Sequence, residues 1–271
     1  MNNLRKPAQA GRFYPADPKE LSQEVKNHID KNAVKEIALG IVAPHAGYIY
    51  SGKAAGALYS RIKFPDTIII LGPNHTGLGA DTAIITEGEW IMPGGNVFIN
   101  KELAESILEN SKSIIKKDNF SHSKEHSLEV QLPFIQHFTR DFSIVPICMK
   151  DYRVDTCRKI GEAIAKSLKP AAKALIVASS DMSHYVSATI AEQKDRLAID
   201  KILALDPEGL LQVVAENHIS MCGSGPVAAM LFAVKELGAK KAELVLYNTS
   251  GDASGDYSEV VGYASIIVKQ S

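Results

Sequence analysis

Apolar residues along this chain fall into two patterns. Short unbroken blocks rich in Ile, Val and Leu, such as Thr67-Ile68-Ile69-Ile70-Leu71, read as strands covered on both faces. The pattern predicts strands over residues 38–43, 67–71, 82–86, 141–147, 174–178, 243–249 and 262–268. Between most of them the apolar positions recur at helical spacing. Helices are expected over residues 18–31, 53–62, 100–110, 154–168, 189–205, 207–216 and 225–237. Asp17-Pro18-Lys19-Glu20 carries an N-cap, a proline at the first helical position and an early glutamate. Small residues at Ala54, Ala55 and Ala57 suggest that the helix holding them lies close against the sheet. Strands alternating with helices define an α/β protein built on a largely parallel sheet.

Three of the strand-type blocks end in the same way. Gly72-Pro73-Asn74-His75 closes one, Ala43-Pro44-His45-Ala46-Gly47 another, and Ser179-Ser180-Asp181-Met182-Ser183-His184 a third. Gly72 and Pro73 stop the first strand and Pro44 the second, and the third repeats the construction in altered form, so each histidine is expected on a loop at the C-terminal edge, where open α/β sheets bind ligands. Met221-Cys222-Gly223-Ser224 places a thiol just before a helix N-terminus, a position that favours thiolate. Imidazole, carboxylate and thiol together suit iron, copper or zinc. His45, His75 and Cys222 are the candidate metal ligands, with Asp181 and His184 moving protons. Cys222 also stands as a candidate nucleophile. On a helix, His126 and Glu129 would share a side, three residues apart, and are expected to orient the ligands from behind. Arg12, Phe13 and Tyr14 read as surface packing, and Trp90 as a packing residue at the rim.

Composition narrows the field. A chain of 271 residues with no Ser/Gly/Pro-rich linker reads as a single domain, 1–271. With 30 Lys+Arg against 31 Asp+Glu, nothing indicates nucleic-acid binding. No apolar run approaches the roughly 20 residues that span a bilayer. The start shows no apolar export segment, so no membrane partner and a cytoplasmic location are expected. Three cysteines without a Cys-x-x-Cys argue against a disulfide framework or zinc knuckle. There is no Gly-x-Ser-x-Gly elbow around Ser179 and no phosphate-loop fingerprint at Gly40–Gly47 or Gly72–Gly77.

Arg12-Phe13-Tyr14-Pro15, Ala43-Pro44-His45-Ala46-Gly47-Tyr48, Leu71-Gly72-Pro73-Asn74-His75, residues 125–133, Ser179-Ser180-Asp181-Met182-Ser183-His184-Tyr185 and Cys222-Gly223 span nearly the whole chain in order. In them the sequence resembles the Memo (MEMO1-like) family, whose microbial members resemble the middle part of the AmmeMemoRadiSam set. The resemblance implies the α/β/α sandwich of class III extradiol (LigB-like) dioxygenases, with a mixed, largely parallel central sheet. It implies His45 and His75 as iron ligands and His184 as a catalytic base, with Asp181 in the pocket. Cys222 falls where those dioxygenases carry a carboxylate ligand, so ring cleavage does not follow from the fold. The implied function is a metal-dependent oxidoreductase-like protein acting on an unidentified small-molecule or protein substrate, with radical-SAM and AMMECR1-like proteins as partners. The alternatives are a non-enzymatic pocket, as in the animal member described as binding phosphotyrosine peptides, and a scaffold subunit of a modification system.

Overall fold

The computed structural model describes residues 4–168 and 174–270. Met1–Asn3, part of the reading against an export segment, lie outside the described residues. The core of the sheet is four parallel strands in the order Ser143–Met149, Thr67–Pro73, Ala174–Ser179, Gly40–Ala43. These are the unbroken apolar blocks, and their Ile, Val and Leu side chains are fully buried. Burial on both faces is what such blocks require. Val260–Lys269 continues the sheet antiparallel to Gly40–Ala43 and pairs in turn with Lys241–Thr249. Short strands extend the other side, ending at Leu4–Arg5, which pairs with Glu89–Trp90.

Helices cover both faces, giving a three-layer α/β/α sandwich. Pro18–His28, Tyr48–Ser60 and Leu132–Phe138 pack together in one layer. Val154–Ser167, Pro207–Glu216 and Ser224–Glu236 form the other, with Lys101–Asn110 and Ala188–Leu203 alongside. Among the described residues no helix is long and apolar enough to cross a membrane.

Two elements differ from their sequence-based boundaries for physical reasons. The helix expected from residue 53 begins at Tyr48, because Phe13 carbonyl accepts from Tyr48 N–H at 2.8 Å and gives the uncapped turn a partner. Its small residues serve the neighbouring helix as well as the sheet: a Cβ on Gly56 would lie 2.1 Å from the carbonyl oxygen of His28. On the sheet side, Ser265 Oγ donates to Ala54 carbonyl at 2.7 Å.

The second difference is the polar segment after residue 122. His126 and Glu129 do not share a helix there: the segment is a 3-10 turn at Phe120–His122, an irregular stretch, a second 3-10 turn at Glu129–Gln131 and a helix starting at Leu132 with Pro133 in its first turn. Glu125 is the cause. Its carboxylate accepts from the backbone N–H groups of His126 and Ser127, both at 2.9 Å, a local side-chain bond that competes with helix formation.

The contact at Gly56 yields a stability prediction. Gly56→Ala gains helix propensity worth up to about 1 kcal/mol but drives a methyl into backbone, and overpacking costs about 1–3 kcal/mol. Net destabilisation of roughly 1–2 kcal/mol is expected in urea unfolding with an unchanged slope. An unmoved or raised midpoint would contradict the close approach.

Candidate metal centre

The parallel register brings the strand ends to one level: Ala43 is opposite Ser179, and Leu71 opposite Ala178. His45 follows Ala43 by two residues, His75 follows Pro73 by two, and Asp181 follows Ser179 by two. Equal offsets from adjacent strand ends place all three at one rim. The rings of His45 and His75 lie 5.1 Å apart, edge to face. His126, on the irregular stretch that Glu125 organises, completes the group, 5.4 Å from His45 and stacked 4.5 Å from His75. One ligand atom from each of these three histidines lies within 4.8 Å of the other two. Among the described residues this is the group of His, Cys, Asp and Glu placed to hold a metal ion.

Each histidine is held from behind. His75 Nδ1 meets Glu125 Oε1 at 2.8 Å, and His75 N–H donates to Glu125 Oε2 at 2.6 Å. His45 Nδ1 meets Ser179 Oγ at 2.8 Å, and its N–H donates to Asp181 Oδ1 at 2.7 Å. In both residues Nδ1 is engaged with the protein, which leaves Nε2 as the ring nitrogen available to a metal. His126 packs against Phe13, ring centres 4.7 Å apart. Cys222 stands beside the cluster with Sγ 3.2 Å from His45 Nε2, and Asp181 N–H donates to that sulfur at 3.4 Å.

His184 occupies a separate place. It lies half-buried on the short strand His184–Val186, antiparallel to Val260–Lys269, with Nδ1 2.9 Å from Ser220 carbonyl. A carbonyl only accepts, so Nδ1 carries a proton.

Burial favours the neutral ring at His45 and His126. It lowers the pKa of His45 far below the ordinary imidazole value, helped by repulsion from His126, His75 and His184. His126 falls to about 4, again chiefly through burial. Neutral imidazole is the form that ligates metal. Burial would raise Glu125, but its bond to His75 and the charges of His75 and His126 bring it down to about 2. Asp181 moves the other way, raised by burial to about 6. Its Oδ2 is 3.9 Å from His45 Nε2, an ion-pair distance, yet the neutral imidazole makes this contact a non-ionic one. Burial and the nearby Asp181 charge push the Cys222 thiol well up, outweighing the thiolate preference that a position before a helix suggested. Without metal, Cys222 is therefore a protonated thiol.

Glu129 does not sit behind His126. Its carboxylate is fully buried elsewhere and accepts from Arg5 Nη1 at 2.7 Å, Ala8 N–H at 2.7 Å, Gln9 N–H at 2.9 Å and Tyr14 hydroxyl at 2.6 Å. Arg5 also donates to the carbonyls of His122 and Glu125 and lies 4.0 Å from the face of the buried Trp90 ring. Tyr14 and Trp90 are thus interior residues, not surface or rim packing. The opening segment of the chain, through Arg5, ties down the stretch that supplies His126. Glu125 went unnoticed in the sequence because a carboxylate that will be buried looks like any other acidic residue. Its one signal was the immediate neighbourhood of His126 and Ser127.

Fold and rim together describe an α/β/α protein with a histidine cluster at the C-terminal edge of its parallel strands. Residues 5–267 match the Memo-like protein family. A MEMO1 family protein of Pyrobaculum aerophilum is 46% identical, covering 97% of this chain and 98% of its own length. One from Methanopyrus kandleri is 42% identical, covering 98% and 99%. One from Methanosarcina mazei is 44% identical, also covering 98% and 99%. The solved structure of an uncharacterized protein from Escherichia coli K12 aligns over 84% of this chain and 98% of its own, at TM-score 0.48 and 12% identity. The chain belongs to the Memo-like family.

The shifted groups give stability a pH dependence. His45, His126 and the buried His122, lowered mainly by burial to about 3, bind fewer protons folded than unfolded below the ordinary imidazole pKa of about 6.5. Their contribution is complete above that pH and declines as pH falls. Asp181 and Asp195, both raised by burial, oppose this, since each binds more protons folded. The lowered histidines, His137 among them, outnumber the two raised aspartates, so protons are taken up on unfolding. Metal-free protein should therefore lose stability steadily as pH falls from 6 to 5 in urea titrations. Stability flat or rising over that interval would contradict the lowered imidazole pKa values.

Proposed function

We propose that the chain is a nonheme metal-dependent, oxidoreductase-like protein that acts on an unidentified small-molecule or protein substrate at this rim. What carries the reading is the convergence of three imidazoles, each supported from behind, with a thiol and a carboxyl group beside them. The donor set fits a transition metal. Nδ1 of His45 and His75 is engaged by the protein, which leaves Nε2 of each to serve as the ligand atom. His45, His75 and His126 would hold the ion, with Cys222 as a further donor once its proton is lost. Imidazole suits iron, copper and zinc alike, and the redox reading requires iron or copper. Such an ion supplies a Lewis-acid or one-electron centre.

The remaining residues handle substrate and protons. His184, half-exposed and with Nδ1 tied to Ser220 carbonyl, would accept a proton from a bound substrate at Nε2. Asp181, with a pKa near neutrality, can hold or release one in the same space. Its Oδ1 also fixes the His45 backbone. The partial exposure of the His75 side chain, 33%, marks the mouth. The same proposal takes radical-SAM and AMMECR1-like proteins as partners, on the strength of the sequence resemblance.

Anaerobic reconstitution followed by elemental analysis tests the reading. The wild-type protein should retain about one iron or copper per chain after desalting, and His45→Ala less than about a tenth of that. Cys222→Ser should keep part of the metal but lose any sulfur-to-metal charge-transfer band. Wild-type protein that retains none, or a His45→Ala protein that behaves like it, would end the metal-centre account.

A further inference from the structure

Behind His45 lie two buried polar residues, Ser179 and Gln131, 0% and 1% exposed. Three groups lie within hydrogen-bond distance of Ser179 Oγ: Ser127 carbonyl at 2.6 Å, Gln131 Nε2 at 2.8 Å and His45 Nδ1 at 2.8 Å. A serine hydroxyl has one proton and two lone pairs, so three partners use it completely. The Ser127 carbonyl can only accept, and it takes the one hydroxyl proton.

The orientation of Gln131 follows from its other contacts. Its nitrogen end also meets Pro44 carbonyl at 3.0 Å, which needs a donor, while its oxygen end accepts from Tyr59 hydroxyl at 2.8 Å. Gln131 therefore donates to Ser179 and fills one of its lone pairs. The last lone pair faces His45 Nδ1, and only a protonated Nδ1 satisfies it. Were the proton on Nε2 instead, two lone pairs would oppose each other in a buried space.

We infer that Ser179 and Gln131 are positioning residues that hold His45 as its Nδ1–H tautomer, leaving the Nε2 lone pair for the metal centre. The chain runs from Tyr59 through Gln131 and Ser179 to His45 and is anchored on the carbonyls of Pro44 and Ser127. It sets in place for His45, with neutral groups, what the acceptor-only carboxylate of Glu125 sets for His75. Gln131 and Ser179 thereby gain a role beyond packing. The consequence for metal affinity rests on the proposed function, but the tautomer is a property of the metal-free protein.

Long-range nitrogen–proton correlation spectra of metal-free protein carrying 15N-labelled histidine read the tautomer directly. Wild-type His45 should show a single form protonated at Nδ1. Ser179→Ala removes the acceptor, and the spectrum should move to a mixture or to the Nε2–H form. Gln131→Met removes the donor that orients Ser179 and should shift it in the same direction, giving the same readout where the alanine protein does not fold. Zinc affinity, measured by chelator competition, should fall about 10- to 100-fold in Ser179→Ala. A wild-type His45 protonated at Nε2, or both variants keeping the wild-type form, would overturn the inference. Failure of the wild-type protein to bind zinc would count against the metal centre alone, since the spectra decide the tautomer independently.

Discussion

The carboxylate of Glu125 accepts from four donors: the ring and backbone N–H of His75 and the backbone N–H groups of His126 and Ser127. A buried charge is tolerated only when its lone pairs are met in this way. Here the four bonds also join two stretches of chain some fifty residues apart. The end of the Thr67–Pro73 strand and the irregular segment after His122 become one unit, and two of the three clustered histidines are set by it. Glu125 is thus both an electrostatic anchor and the reason a helix does not form where helical spacing suggested one.

A second buried carboxylate extends the arrangement outward. Glu129 gathers the opening segment of the chain, and Arg5 reaches from there to the carbonyls of His122 and Glu125, just ahead of His126. Removing one partner of such a pair leaves an uncompensated buried charge, so this part of the structure is cooperative: the N-terminal segment, the irregular stretch and the histidine rim depend on each other. The parallel strands supply the rigid base. Their equal offsets to His45, His75 and Asp181 fix where the rim groups begin, and the hydrogen bonds from Ser179, Asp181 and Glu125 fix how they point.

Much of the scaffold was legible in the sequence because it is written in local pattern. Isoleucine and valine blocks became the parallel strands, and Asp17-Pro18 and Asn100 became helix starts. The strand-to-histidine endings at His45 and His75 were legible too, since Gly and Pro mark where a strand must stop. Non-local partnerships were not legible. The spacing of His126 and Glu129 suggested a shared helical face, but their roles were decided by His75, over fifty residues away for His126, and by Arg5, over a hundred away for Glu129. Cys222 shows the same limit in its protonation. Its place before a helix suggested thiolate, whereas burial and the Asp181 charge, which only the fold brings there, favour the thiol.

The central claim is that three histidines from distant parts of the chain bind one ion. Anomalous diffraction from crystals reconstituted anaerobically with iron(II) addresses it most directly. The account predicts a single strong peak at the iron edge, about 2 Å from a ring nitrogen of each of His45, His75 and His126. A peak bound elsewhere, or no peak in protein whose histidine rim is otherwise ordered, would contradict it.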